Sequence, residues 1–530
     1  MPVETERKAY LIGGGIASLS SAVYLIKEGF NAKNIHILEH LQVAGGSMDA
    51  HPHNDPKGRG HLFRGGRMFD QEAYTCLFDM LENIPSPVNS GKTCKDDIFE
   101  FSKLVPTSAK KRLLDDRGEF DVSHLGLSLK DSTALSVLLY IPESQIQDKK
   151  INDYFSADFF TSNFWYMFCT TFAFQPWHSL IEVKRYFRRF LHEVPKLHDL
   201  SGVWRTMFNQ YDSIIKPTQD WLVSQGVNFD FGITVTHLDF IITEEYRAVE
   251  KINYKKDGKC ETIDVSLDDL VFTTLGSLTA GSAIGTHTEA PKFDFESCKN
   301  DPTWNLWTDI AKRQPDFGNP QKFFADSRAS CFESFSVTLK DGGKLLQRIV
   351  EWSGNQPGTG ALVTFPKSSW FFSIVVPFQP HFKDQPKDTQ VFWAYGLNVE
   401  NVGDYVKKPM IECSGQEFMT ELLHHLKWED MLDSTLENSI CIPAILPFTM
   451  AQFMPRQIHD RPQVVPRNSR NFAFLGQFVE VPEDVVFTVE YSVRCAQTAV
   501  FHFMKSSRKV LPIYRYTLHD IIESGKAVLA

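Results

Sequence analysis

The chain has 530 residues, 42% of them hydrophobic and 23% charged, which excludes global disorder and predicts roughly two to four folding units. A net charge of −10 without a long basic stripe argues against nucleic acid as the main partner. Nine scattered cysteines, with no CxxC pair and no Cys/His zinc spacing, predict no metal site and a reducing, cytoplasmic setting. No stretch approaches the roughly 18 apolar residues of a membrane span, and no basic-then-apolar leader opens the chain.

In chain order, Lys8 to Ile12 is a short apolar strand running into Gly13-Gly14-Gly15. Ile16 to Lys27 has helical periodicity, and Asn34 to Leu38 reads as a second strand closed by Glu39. Residues 44–67, punctuated by glycine and histidine, read as an irregular loop. Residues 70–84 and 131–140 read as helices. Residues 155–193 are crowded with aromatic side chains and turn basic and helical from Lys184 to Phe190, a run that reads as a solvated helix face. Phenylalanine occurs 43 times, which suits either a Phe-rich core or a greasy cavity for a long apolar ligand. A helix is predicted over 211–225, strands over Val227 to Leu238, and a strand and turn over Asp269 to Leu278. An α+β section follows over 300–460. The last strand is 471–475, followed by Gly476 and a helix from about 486 to 505. The tail carries Lys505, Arg508, Lys509 and Arg515 among apolar residues. It reads as a helix packed on the body, with peripheral contact to an anionic membrane as the alternative.

Gly13-x-Gly15-x-x-Ser18 after a strand, opening a helix, with Glu39 ending the next strand, is a dinucleotide fingerprint. The first glycine makes the turn, and the second lets the backbone approach a pyrophosphate. The small third residue packs helix on strand. Glu39 suits ribose hydroxyls, and the helix N-terminus suits the phosphates. The N-terminal placement and the later Gly45-Gly46-Ser47 favour FAD, and no second fingerprint marks a nicotinamide domain. The expected fold class is α/β: a Rossmann-type, two-dinucleotide-binding flavoprotein domain, an α+β substrate domain and a C-terminal helical segment. The FAD domain is expected over 1–90, 221–290 and 466–504. The substrate domain takes 91–220, which holds its helices, and 291–465, and the tail is 505–530. Further cofactor candidates are Arg64, Gly65, Gly66, Val235, Thr274, Ser277, Gly476, Asp484 and Thr488.

Several longer motifs resemble one family along almost the whole chain. They include Arg64-Gly-Gly-Arg67, Phe172-Ala-Phe-Gln-Pro-Trp-His-Ser179, Lys184-Arg-Tyr186 and Asn209-Gln-Tyr-Asp-Ser213. Others are Asn355 to Thr364, Gln379-Pro-His-Phe382, Gly403 to Pro409, Gln452 to Arg456 and Phe487 to Arg494. The family is that of the oleate hydratases, also called myosin-cross-reactive antigens. The resemblance implies FAD-dependent addition of water to the cis-9 double bond of oleate and linoleate, giving 10-hydroxy acids without net redox. It also implies Tyr186 as alkene protonator, Gln210 in the active site, and Gln379 and His381 at the fatty-acid carboxylate. The neighbouring charges of Lys184, Arg185, Arg188 and Arg189 are expected to lower the pKa of Tyr186.

Two departures stand out. Met68 occupies the catalytic position where many members carry the glutamate proposed to activate water, and a thioether cannot serve as a base. Asp70 and Glu72 are the nearby substitutes. Val375 and Pro377 replace a Thr-x-Asn pair suited to the carboxylate. The competing readings are a flavin oxidoreductase acting on lipids and a non-catalytic fatty-acid-binding protein. Oligomeric state is left open.

Overall fold

The computed structural model describes residues 7–115, 118, 119, 122–360 and 362–529. Residues 1–6 of the first FAD span, 116, 117, 120 and 121 of the substrate span, Ala361 within one quoted motif, and Ala530 of the tail lie outside them. A five-stranded parallel sheet is assembled from distant parts of the chain. Its order is Phe472–Leu475, Leu270–Thr274, Ala9–Ile12, Ile35–Glu39 and Asn228–Phe231. The central strand Ala9–Ile12 is covered on both faces, so it reads as an unbroken apolar run rather than an alternating one. The helices Ile16–Lys27 and Val489–Phe503 pack together beside this sheet, pinned where Gln497 Nε2 donates to the Tyr24 hydroxyl at 2.8 Å. An antiparallel three-stranded sheet spans Thr234–Ile242, Arg247–Lys256 and Lys259–Asp264.

The second large sheet is antiparallel and six-stranded. Its order is Ala283–Ile284, Ser439–Leu446, Phe332–Leu339, Gln390–Gly396, Phe372–Val375 and Val363–Thr364. One face packs on the helix Gly415–His425, where Phe418 stacks on Phe335 at 3.9 Å.

Residues 44–67 are not an irregular loop. They form a short 3-10 turn, Gly46–Met48, and a hairpin, Ala50–Asp55 with Gly58–Phe63. The hairpin lies on the six-stranded sheet, where Ser336 Oγ exchanges hydrogen bonds with Phe63 N and O and Thr338 Oγ1 accepts from His61 N. Its strands hold because hydroxyls 273 and 277 positions away meet its backbone.

The tail docks on the body. Its helix Leu518–Leu529 packs on the 3-10 turn Leu191–Lys196, with Ser524 Oγ donating to Leu191 O at 2.6 Å. Arg508 pairs with Asp79 and Arg515 with Glu483. No described helix is long and apolar enough to cross a membrane.

Candidate active site

A groove of about 600 Å³ runs along the C-terminal ends of the parallel strands. Gly13, Gly15 and Glu39 line it, and the later chain returns to it with Val235, Thr274, Ser277 and Gly476. The helix Ile16–Lys27 opens on Gly15 without a side-chain cap, so its first N–H groups remain available to phosphate. Gly46 has φ +57°, and a Cβ there would sit 3.4 Å from Gly15 Cα. Gly45 N also donates to Gly14 O, so the second glycine pair lets two loops meet backbone to backbone. Ser18 faces Thr274 rather than the groove, packing helix on strand.

Glu39 does more than face a ribose. Its Oε2 accepts from Gly14 N at 2.6 Å, and its Oε1 accepts from Leu41 N and pairs with His40. Burial would push its carboxyl up, but His40 and the two backbone N–H groups hold it below the ordinary value. The groove thus fits a dinucleotide: a glycine turn, an uncapped helix end and an ionised acceptor at the second strand.

The groove shares Ser47, Arg64, Leu278 and Thr279 with an apolar chamber of about 120 Å³. Gly65, Gly66, Met68, Tyr186 and Thr488 line this chamber. Through Met68, Phe172 and Tyr186 it adjoins a Phe-lined chamber of about 60 Å³ that Phe168, Phe187 and Phe190 border. In the other direction it adjoins a small chamber of about 30 Å³, its surface mainly apolar but carrying the polar side chains of Arg205, Gln210 and His381. That chamber meets an outer cavity of about 310 Å³ at Phe101 and Thr206, beside exposed Leu104. The aromatic segment therefore serves both readings of the phenylalanine count. Phe164, Phe168, Phe174 and Phe187 stack as core, and a few of these rings also wall a cavity.

Tyr186 sits on the helix Leu180–Arg189, fully buried, and its hydroxyl donates to Val486 O at 2.6 Å. The expected lowering of its pKa is not found. Burial raises it well above the ordinary value, and Tyr74, Glu182 and Asp484 add to the rise. The basic run is not a solvated face: Arg185 and Arg189 are buried against acids, Lys184 donates to Ile141 O, and Arg188 alone is half-exposed, beside Glu483. Arg185 pairs with Glu143 at 2.8 Å and Glu480 at 2.6 Å, and Arg189 with Asp484 at 3.4 Å. Arg456 and Arg461 take Glu182, one turn before Tyr186 on the same helix. Asp484, expected at the cofactor, is committed to Arg189 and Arg494 and lines neither groove nor chamber.

Gln210 precedes a π-helical turn, Tyr211–Ile215, and its Nε2 is buried without a partner. Asn209 ties this turn to the 381 segment, donating from N and Nδ2 to His381 O. Both His381 ring nitrogens are buried and unpartnered, and burial, Arg205 and His61 push the ring down to about 3, so it is neutral. Gln379 lies outside this chamber, its amide spent on Pro377 O and Val391 O.

Among the described residues lining the central chamber none is a carboxylate. The adjoining Phe-lined chamber has two, Asp70 and Glu193. Asp70 is committed to Ala73 N and His192, and Glu72 is exposed near the tail. Glu193 was not singled out from sequence. Its Oε2 is buried and unpartnered, and burial raises its pKa despite Lys196. Arg205, equally unnoticed, has Nε and Nη2 buried without partners.

Solved structures share this architecture at low identity. Cyclohexylamine oxidase from Brevibacterium oxydans IH-35A matches with TM-score 0.54 and 12% identity, over 94% of this chain and 99% of that one. Putrescine oxidase bound to putrescine matches with TM-score 0.51 and 11% identity, over 94% and 99%. The common fold is that of the Rossmann-type flavoproteins expected from the sequence. Among sequence relatives, an oleate hydratase from Streptococcus pyogenes serotype M49 (strain NZ131) is 36% identical, over 98% of this chain and 89% of the relative. A linoleate hydratase from Lactiplantibacillus plantarum is 33% identical, over 94% and 93%. Residues 6–501 match the MCRA family, and the chain belongs to that family.

Proposed function

We propose that the protein is an FAD-dependent fatty acid hydratase that adds water to the cis-9 double bond of oleate and related acids. The product is the 10-hydroxy acid, with no net redox. The observation that carries this reading is a buried phenol, Tyr186, in a chamber that shares a wall with the nucleotide groove and lies between the small chamber of Arg205 and the Phe-lined chamber. It supports an extended acid with its carboxylate by Gln210 and His381, its double bond at Tyr186 and its methyl end among the phenylalanines. The two relatives named as hydratases add to that support.

FAD would be held by Gly13, Gly15, Glu39 and the uncapped helix, with Ser47 and Arg64 at the boundary with the chamber. When bound, it supplies a polar wall and a fixed electrostatic field to the reaction chamber. Tyr186 keeps its proton at neutral pH because its pKa is raised, so a donor is always present. Its O–H proton goes to one alkene carbon and a water oxygen bonds to the other. The water's surplus proton leaves to a base, which returns a proton to the phenolate, so the cycle adds only the elements of water to the acid. Met68 contributes wall and no base. Glu193, whose Oε2 is buried without a partner in the adjoining chamber while its Oε1 pairs with Lys196 at 2.8 Å, takes the water proton in this reading. The dry aromatic lining holds the chain in register and keeps bulk water out.

The test is product analysis after incubating purified protein, FAD and a reductant with oleate in 18O-labelled water. Labelled 10-hydroxystearate is expected. Unconverted oleate overturns the reading, and a hydroxyl from dioxygen reassigns the chain to an oxygenase.

A further inference from the structure

Arg205 is half-buried, and it differs from the buried arginines in having nothing to hold among the described residues. Arg112 spends its guanidinium on Leu362 O, Leu197 O and Thr171 Oγ1. Arg185, Arg456 and Arg494 are paired with carboxylates. Arg67, which also borders the small chamber, donates to Ser47 O at 2.8 Å. Arg205 has no such partner, and its Nε and Nη2 are both buried and unsatisfied. Those two atoms form one edge of the guanidinium, the edge whose parallel N–H bonds match the two oxygens of a carboxylate. A cation with two buried donors unsatisfied is costly, so its place in the fold calls for an anion. Burial lowers its pKa only to about 10, so it is charged at neutral pH.

Its position is fixed and its surroundings lack any other answer. Trp204 and Phe69 exchange backbone hydrogen bonds at 2.8 and 2.9 Å, which sets Arg205 opposite the Arg64–Arg67 loop. It lines both the small chamber and the central chamber, and does not line the nucleotide groove. Val375 and Pro377 border the same small chamber and offer an anion no side-chain donor. Gln210 Nε2 and the neutral His381 ring supply uncharged donors beside it.

We propose that Arg205 binds the substrate carboxylate through its Nε–Nη2 edge, and so sets the position of the chain along the chambers. This rests on the acid-substrate reading above and deepens it. The outer cavity meets the small chamber, so the acid enters methyl end first and stops when its carboxylate reaches Arg205.

The experiment compares FAD-loaded parent, Arg205→Gln and Arg205→Lys, with flavin absorbance and Tm as folding controls. KM and kcat are measured for oleate. Kd is measured by displacement for stearate, which has no double bond to hydrate, and for stearyl alcohol, which has no charge. In Arg205→Gln the oleate KM and the stearate Kd should rise about tenfold or more, with the stearyl alcohol Kd unchanged. Arg205→Lys should recover part of the loss, because charge returns without the paired edge. Should Arg205→Gln fail to fold, Arg205→Lys decides alone: its stearate Kd should exceed the parent's about threefold at constant stearyl alcohol Kd. Stearate Kd and oleate KM equal to the parent's in the decisive variant overturn the proposal, as does an equal loss for acid and alcohol. A parent that converts no oleate yet binds stearate in an Arg205-dependent manner would sink the hydratase reading and uphold the anchor.

Discussion

Tyr186 donates its only proton to Val486 O, and burial keeps that proton in place. Tyr186→Phe should lower kcat by about 10²- to 10⁴-fold, the usual worth of a positioned acid, at a stability loss of about 1 kcal/mol for one hydrogen bond. Oleate turnover and a melting curve of the same preparation check both. Met68→Leu should keep kcat within about threefold, since a thioether supplies packing only; a much larger loss would give the sulfur a chemical role. Glu193 is the counterpart. Its folded pKa is raised, chiefly by burial, so ionisation is disfavoured in the fold. As a base it must be ionised, so the acid limb of kcat should fall at higher pH than an ordinary glutamate gives. Glu193→Gln should remove that limb and cut kcat about 100-fold. Its Tm at neutral pH should hold or rise, because the variant has no buried charge to form.

The helix that carries Tyr186 is held by charges that meet only in the fold. Glu480 accepts from Arg185 at 2.6 Å and forms an ion pair with Arg456 at 3.1 Å. Burial pushes its carboxyl up, yet Arg185, Arg456 and Arg461 pull it from 4.5 down to about 2. A depressed acid stabilises the fold above its unfolded pKa, and that stability is lost as pH falls from about 4.5 towards about 2. Glu480→Gln should cost roughly 3–5 kcal/mol, because two arginines lose a buried partner, and its acid unfolding should be shallower over that window. Denaturant titrations from neutral pH downward would show it. The same network explains what sequence could and could not disclose. The βαβ opening and Gly13 to Gly15 were legible because strand, turn and helix follow one another. The Lys184 to Phe190 run looked like a solvated face because Glu143, Glu480 and Asp484 are remote in sequence. The hairpin Ala50–Asp55 was hidden because its support comes from Ser336 and Thr338. Arg205 and Glu193 escaped because what marks them is a missing partner, which only three dimensions reveal.

At the scale of the molecule, one parallel sheet is closed by strands from the start, middle and end of the chain. A ligand in the groove touches all three, so FAD binding should stabilise the whole assembly. At 100 times its Kd the gain is about 2.7 kcal/mol if only the folded state binds. A Tm that ignores added FAD would place the cofactor elsewhere. The wall shared at Ser47, Arg64, Leu278 and Thr279 has a thermodynamic meaning of its own. Whatever fills the groove becomes one side of the acid's tunnel, and an empty groove leaves that side open to water. Cofactor and acid are then linked ligands, and the linkage is reciprocal. The factor by which FAD tightens the grip on the acid must equal the factor by which the acid tightens the grip on FAD. A cofactor-poor preparation would therefore be deficient first in holding its substrate, before any question of chemistry arises.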